Sequence, residues 1–315
     1  MRRMRKVLAR QPWLGPLAAL AVTWTYFAVR APGFASAVNT ATMARQTTVV
    51  ALCAVGMTLV IVSGGIDLSV GSAVAFTTVV IAATLKAGHG PVVAVLAGVG
   101  VATACGAIAG TMVAKLRMAP FIVTLGAMSI LRGAAKGLAD EQKIDCDPRG
   151  LDALLSASDG SMLPPGVWVA LLVGIAGALA LRNTRFGRHL YAVGSSEATA
   201  LVCGVDVARV KIVVYSVAGA LAGLAGVMQF SRLTVGDPTD SIGLELEVIA
   251  AVVIGGASLS GGEGTVLGSL VGAVLMAVIR TGCNFTGVHN WVQEIVTGGI
   301  IVVAVALDRV RHRAT

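Results

Sequence analysis

Ser63-Gly64-Gly65-Ile66-Asp67-Leu68-Ser69-Val70-Gly71-Ser72 is a polar, glycine-rich interruption between two long apolar runs. Irregular backbone and a carboxylate are tolerated inside a bilayer only where protein or water satisfies them. The frame Gly-Gly-x-x-Leu-Ser-x-Gly returns with identical spacing at Gly255-Gly256-Ala257-Ser258-Leu259-Ser260-Gly261-Gly262. Short Gly-broken segments in paired positions are what a transporter sequence shows where its helices are discontinuous.

Composition places both breaks in a membrane protein. Of the 315 residues 56% are hydrophobic and only 13% charged, and the mean hydropathy is +0.85, whereas soluble domains are about a quarter charged. At roughly 20 apolar residues per span, the chain reads as an all-α polytopic membrane protein of about ten transmembrane helices with Gly-rich broken segments. The spans fall near 12–30, 47–63, 66–86, 90–114, 119–138, 166–182, 212–231, 247–260, 264–280 and 291–307. The eighth is short and Gly-interrupted, as a broken or re-entrant segment would be. An even count puts both termini on one side, and retention of basic residues in cytoplasmic loops chooses the side. Arg2, Arg3, Arg5, Lys6, Arg10, Lys115, Arg117, Arg182, Arg185, Arg188, Arg209, Lys211, Arg309, Arg311 and Arg313 then lie inside, so both termini are expected in the cytoplasm. The loop at 139–165 carries Asp140, Glu141, Asp145, Asp147, Asp152 and Asp159 and is expected outside. The net charge of +8 follows this topology and does not call for a nucleic-acid partner. The basic start resembles the first region of a signal peptide, but no small-residue cleavage site follows, so an uncleaved first helix is expected.

Asp67 admits two compatible readings. An aspartate at mid-bilayer costs about 2.5–3.5 kcal/mol unless capped, paired or wetted. Capping the helix that starts after it would return roughly 1 kcal/mol, and a helix N-terminus facing a cavity offers amides and the Ser69 hydroxyl to a polar solute. In the second break, Leu259-Ser260-Gly261-Gly262-Glu263 mimics the signature loop of ATP-binding-cassette ATPases. None of the six lysines in the chain follows a glycine, so the phosphate loop those ATPases need is missing and the stretch reads as a tight turn.

The most polar expected cytoplasmic stretch spans about 183–211. Ser195 or Ser196 suits the cap of a short helix, Glu197 its first turn and Gly204 its end. The small face of Ala198 and Ala200 fits either a loop helix lying on the membrane or a groove on a partner. No catalytic constellation stands out: His89, His189, His289 and His312 are dispersed, and no His-Glu-x-x-His or Gly-x-Ser-x-Gly occurs. Cys53, Cys105, Cys146, Cys203 and Cys283 include no Cys-x-x-Cys pair, which argues against a metal or redox centre. Cys146 and Cys283 share the expected outer side, where a disulfide is conceivable.

Five blocks resemble the permease subunits of bacterial ATP-binding-cassette importers for ribose, xylose, galactose and related monosaccharides. These are residues 63–72; Ala119-Pro120-Phe121-Ile122-Val123-Thr124-Leu125-Gly126 with Arg132-Gly133; Thr184-Arg185-Phe186-Gly187-Arg188 through Ala192-Val193-Gly194; Gly204-Val205 through Val210-Lys211 with Gly223-Leu224-Ala225-Gly226; and Gly255-Gly256-Ala257-Ser258-Leu259 with Gly261-Gly262. The resemblance implies one permease domain over 1–315, a second permease copy, surrounding lipid, a separate ATPase inside and a soluble solute-binding protein outside. It implies no cofactor and no enzymatic activity in this chain. It also turns the helix of Ser195, Ser196, Glu197, Ala198, Ala200 and Gly204 into the ATPase coupling helix. Gly64, Gly65, Asp67, Ser69, Gly71, Gly255, Gly256, Ser258 and Ser260 become the expected lining of an alternating-access pathway for a monosaccharide or similar polar solute. The sequence departs from the family pattern in the outer loop at 140–165 and at Glu263, where a basic or neutral residue is expected. The competing reading is a proton- or sodium-coupled carrier with Asp67 as its titrating or ion-binding group.

Overall fold

The computed structural model describes residues 13–156 and 163–313; the expected N-terminal segment 1–11 and Asp159 lie outside them. Twelve α-helices occupy the described residues: α1 Leu14–Arg30, α2 Ala37–Val62, α3 Val70–Lys86, α4 Pro91–Lys115, α5 Pro120–Leu138, α6 Pro165–Asn183, α7 Arg185–Ser195, α8 Glu197–Val202, α9 Val207–Leu233, α10 Leu244–Ile254, α11 Val266–Phe285 and α12 Asn290–Arg313. Two short strands, β1 Ile144–Asp145 and β2 Val235–Gly236, pair antiparallel. Each expected apolar stretch falls on a helix, and among the described residues α2, α4, α5, α6, α9 and α11 are long and apolar enough to cross a membrane by length and composition. The fold is therefore all-α with several membrane helices, six of them of spanning length among the described residues. Helix α10 has 11 residues, about half the length that a hydrocarbon core requires.

Helix α9 is the axle of the bundle. Its Ala218 faces Gly56 of α2, Gly219 faces Ala102 and Gly106 of α4, and Gly226 faces Val74 and Thr77 of α3. Small residues at each crossing let the backbones approach, which replaces the hydrophobic drive that lipid-embedded helices lack. Tyr215 fills the space above Gly106 and Gly110 and is itself buried. Helices α10 and α11 form a tight hairpin in which Gly255 meets Gly268 and Ala251 meets Gly272. Helix α1 closes over α11 through Phe27 against Gly282, within a cluster that holds Phe34, Trp24 and Cys283.

The connections sort to two ends. At one end Arg149 Nη1 donates to the Gly88 and His89 carbonyls, Lys143 pairs with Asp237, and Ser231 Oγ joins the 152–155 turn to α9. The other end gathers the C-terminus of α2, helices α7 and α8, and the loop before α11.

Three expectations change. The second span starts ten residues early, at Ala37, because Ser36 Oγ accepts the Asn39 N–H and caps a polar first stretch that hydropathy passes over. Cys146 and Cys283 are free thiols in different clusters, Cys146 beside α3 and α4 and Cys283 beside Phe27 and Phe34, so no disulfide joins them. The chain between α9 and α10 is not a simple outer loop. Gly236 lies against Val79 and Ala82, whereas the Ser241 carbonyl lies against Gly71, about 12 Å further down α3 toward its N-terminus.

Gly219→Val should lower the melting temperature of the detergent-extracted protein, since a side chain there meets α4 backbone that cannot give way, an overpacking cost of about 1–3 kcal/mol. Gly100→Val, on an open face of α4, should leave it unchanged; equal melting of both variants would show that α9 is not seated as described.

Candidate functional site

The two sequence repeats build the same local structure, with the glycine cap one residue out of register and the turn after it in register. After α2, Gly64 (φ +81°) lies past the C-cap, the Gly64 N–H bonds the Ile61 carbonyl and the Gly65 N–H reaches back to Val60. After α10, Gly256 (φ +94°) holds that position, with Gly256 N–H on Val253 and Ala257 N–H on Val252. This left-handed cap spends the last free carbonyls of each helix, and glycine fits it without a Cβ clash. A side chain then closes the turn beyond. Asp67 Oδ1 accepts the Ser69 N–H (2.8 Å) and hydroxyl (2.6 Å), and Ser258 Oγ accepts the Ser260 N–H (3.2 Å). Asp67 is thus the acceptor of a turn ahead of α3, not the cap of its first helical amides: Ser69 holds the N-cap position.

The breaks touch. The Gly262 N–H donates to the Val62 carbonyl at 2.9 Å, and a Cβ on Gly261 would stand 2.9 Å from Gly64 Cα and 2.7 Å from the Gly194 carbonyl. Thr124 of α5 donates to the Ile66 carbonyl (3.1 Å), which anchors the first break from the other side. Asp67, Ser69, Gly65, Gly71, Gly255 and Ser258 are buried, Gly256 is half-buried, and Gly64 and Ser260 are exposed.

The stretch at 183–211 divides differently from its expected form. Ser195 is the last residue of α7 and donates to the Tyr191 carbonyl. Ser196, in extended conformation, alone caps α8, accepting the Thr199 N–H at 3.3 Å. Gly204 (φ +80°) ends it, as expected. Glu197 pairs with Lys211 and ties α8 to α9. Ala198 is exposed, but Ala200 is 3% exposed and packs inward; the outward face is completed by Leu201 and Val202, at 58% and 89%. The face available to a partner is therefore more apolar than an alanine surface, and Ala200 is not on it.

A polar scaffold that the sequence reading passed over holds the segment 237–245. Arg132 Nη1 of α5 donates to the Pro238 (2.9 Å) and Asp240 (2.6 Å) carbonyls. Asp240 Oδ2 accepts from Gln229 Nε2 (2.7 Å) and the Ser241 hydroxyl (2.6 Å). Burial alone would raise the Asp237 carboxyl, but hydrogen bonds from Thr239 and the Lys143 ammonium at 3.0 Å outweigh it and hold the group below the ordinary aspartate value. Gly71 lies against the Glu245 carboxylate and leaves no room there for a side chain. Arg132 belongs to a quoted sequence block, yet its partners are more than a hundred residues away, so no local signal announces its role. Glu263, the odd charge, is exposed, and its carbonyl accepts the Ser258 N–H. Among the described residues no group of His, Cys, Asp and Glu could hold a metal ion.

Comparison with known proteins bears on this geometry. Residues 39–305 match the family described as branched-chain amino acid transport system / permease component. The chain is 39% identical to the ribose import permease protein RbsC of Escherichia coli strain K12, covering 93% of this chain and 92% of that one. It is 38% identical to the ribose import permease protein RbsC of Bacillus subtilis strain 168, over 94% and 92%, and 34% identical to the L-arabinose ABC transporter permease protein AraH of Azospirillum brasilense, over 92% and 86%. No solved structure matches the chain.

Asp67→Asn retains an oxygen that accepts from Ser69 and should melt within a degree or two of the parent, whereas Asp67→Ala should lose roughly 1 kcal/mol of stability with the turn. Thermal melts of the three proteins in one detergent check this, and an alanine variant as stable as the parent would remove the turn from the account.

Proposed function

This chain belongs to the branched-chain amino acid transport system / permease component family, and from that premise we propose that it is the membrane subunit of an ATP-driven importer carrying a monosaccharide or similar small polar solute into the cytoplasm by alternating access. It is a transport component, not an enzyme, and a multi-pass protein of the inner membrane. ATP hydrolysis belongs to a separate ATPase and delivery to a solute-binding protein. Relatives that import ribose and arabinose support the solute class.

The observation that carries the mechanism is the meeting of both breaks with α7, one residue away from α8, at a single end of the bundle. A push on α8 there has a short path to the two segments where helices are interrupted. In this reading α8 is the coupling helix and that end is cytoplasmic, with the termini; Lys115, Arg117, Arg182, Arg185, Arg188, Arg209 and Lys211 near it support the orientation. Asp67, Ser69, Gly71, Gly255 and Ser258 are buried within their own chain, which favours a pathway completed as conformations change and by a second copy in the lipid. Aromatics are 4% of the chain, too few to stack tightly on sugar rings, so the binding protein would set most of the specificity. Family membership favours ATP coupling over the proton- or sodium-coupled carrier.

Tagged chain extracted gently from its native membrane should bring with it an ATPase and a solute-binding protein, identified by mass spectrometry. Isolation alone, under conditions that preserve a related importer, would return the gradient-driven carrier to first place. Val202→Arg should cut uptake at least about tenfold, as loss of an apolar anchor does, while the chain reaches the membrane at its usual level and the ATPase still turns over. Ala200→Arg should instead lower the amount of folded chain, because its side chain has nowhere to go. Uptake by Val202→Arg at parental rates would sink the assignment of α8. Asp67→Asn should keep ATP-driven uptake, whereas a gradient-coupled carrier would lose accumulation.

A further inference from the structure

Helix α7 touches both breaks at once, and the contacts are of an unusual kind. Its apolar face, Leu190 and Val193, is packed into the cluster that also holds Val62 of α2 and Leu181 of α6. Toward the second break it offers almost nothing apolar. Gly194 lies so close that a Cβ there would collide with the Val62 carbonyl and approach Gly262 N to 2.6 Å. Ser195 Oγ would stand 2.5 Å from a Cβ on Gly262, and Tyr191 Oη donates to the Gly264 carbonyl at 2.7 Å. The seam between α7 with the first break and the loop 261–264 is therefore mostly backbone against backbone, with the Val62 side chain against Gly264 and Ser195 against Gly262, and is crossed by hydrogen bonds that include Val62–Gly262 and Tyr191–Gly264. Such a seam parts by exchanging a few hydrogen bonds, without repacking interdigitated side chains.

We infer that this seam is the gate at the α8 end of the pathway, that Tyr191 and Gly194 are its positioning residues, and that movement of α8 reaches the breaks by way of α7. The inference rests on the transport reading above and deepens it. Ser63, between Val62 and Gly64 of the seam, is 1% exposed and bonds the Val60 carbonyl in this state. Ser196, the lone residue between α7 and α8, turns the chain while Glu197 and Lys211 hold α8 to α9. A displaced α8 thus pulls α7 at its last turn, where Tyr191, Gly194 and Ser195 meet the loop. Release of Tyr191 from Gly264 frees the second break to swing from the first.

The test uses the whole complex, chain with its ATPase and binding protein, in proteoliposomes. Ser63→Cys is labelled with a polar maleimide from the α8 side and read by mass spectrometry at its own peptide, since the exposed Cys203 labels as well. Labelling should differ by at least about fivefold between nucleotide-free and vanadate-trapped complex. Tyr191→Phe, which removes one hydrogen bond without changing shape, should raise the slower rate by about fivefold and raise ATP hydrolysis in the absence of the binding protein. Gly194→Ala, a wedge in the seam, should erase the difference between states; should that variant fail to fold, Tyr191→Phe still decides. A complex that hydrolyses ATP in response to its binding protein, with Ser63→Cys labelling equal in both states or unmoved by Tyr191→Phe, overturns the gate alone. Lack of any ATPase response overturns the transport reading and the gate with it.

Discussion

Inside a bilayer every backbone amide and carbonyl must find a partner in protein or trapped water, and the architecture here is arranged around the three places where helix stops supplying one. At two of them a left-handed glycine reuses the carbonyls of the helix just ended, and an acidic or hydroxyl side chain takes the next free amide. At the third, the segment 237–245, partners come from other helices: Arg132 from α5, Gln229 from α9. The two breaks combine such local bonds with ties to Thr124, Tyr191 and each other, whereas the 237–245 segment is held by two helices at once.

Close approach of small residues does the remaining assembly. Where α9 crosses α2 and α4, glycine or alanine stands on both sides, and at α3 Gly226 makes room for Thr77, so these helices are fixed by shape against one another more than by apolar area. The α10–α11 hairpin repeats the device at Gly255, Gly268 and Gly272. Helices α2, α3, α4 and α9 carry the first break and the α10–α11 hairpin the second, and Thr58 of α2 bonds Ser269 of α11 where the two pack. At their ends Val62 and Gly262 add a main-chain contact that joins the two breaks directly.

Much of this was legible in the sequence, for physical reasons. Apolar length found a helix under every expected span, and the Gly-Gly-x-x-Leu-Ser-x-Gly frame located both breaks, because caps and turns are local and written in local residues. The short α8 helix was legible from Ser196, Glu197 and Gly204 for the same reason. Long-range facts were not: that Ala200 faces inward depends on what α8 rests against, and that Arg132 braces residues 238–240 depends on a contact between α5 and a distant loop. Hydropathy missed the start of α2, since Asn39, Thr40, Arg45 and Gln46 look like loop until the Ser36 cap is seen. The one-residue offset between the repeats was hidden too, because identical spacing in sequence says nothing of which glycine follows the cap.

Because the seam at Val62, Gly194 and Gly262 is made of main chain, it has an uneven tolerance to inherited change. Val62 lends the seam a carbonyl that every residue carries, and nothing can be deleted from a glycine. Damage comes only from added atoms, and a single methyl at position 194 suffices. Variation in descendants of this chain is thus expected to be sharply one-sided within the seam, while α2 leading up to it is held to its present volumes by burial. A loss-of-function allele there would arise from small substitutions that composition-based comparisons score as mild.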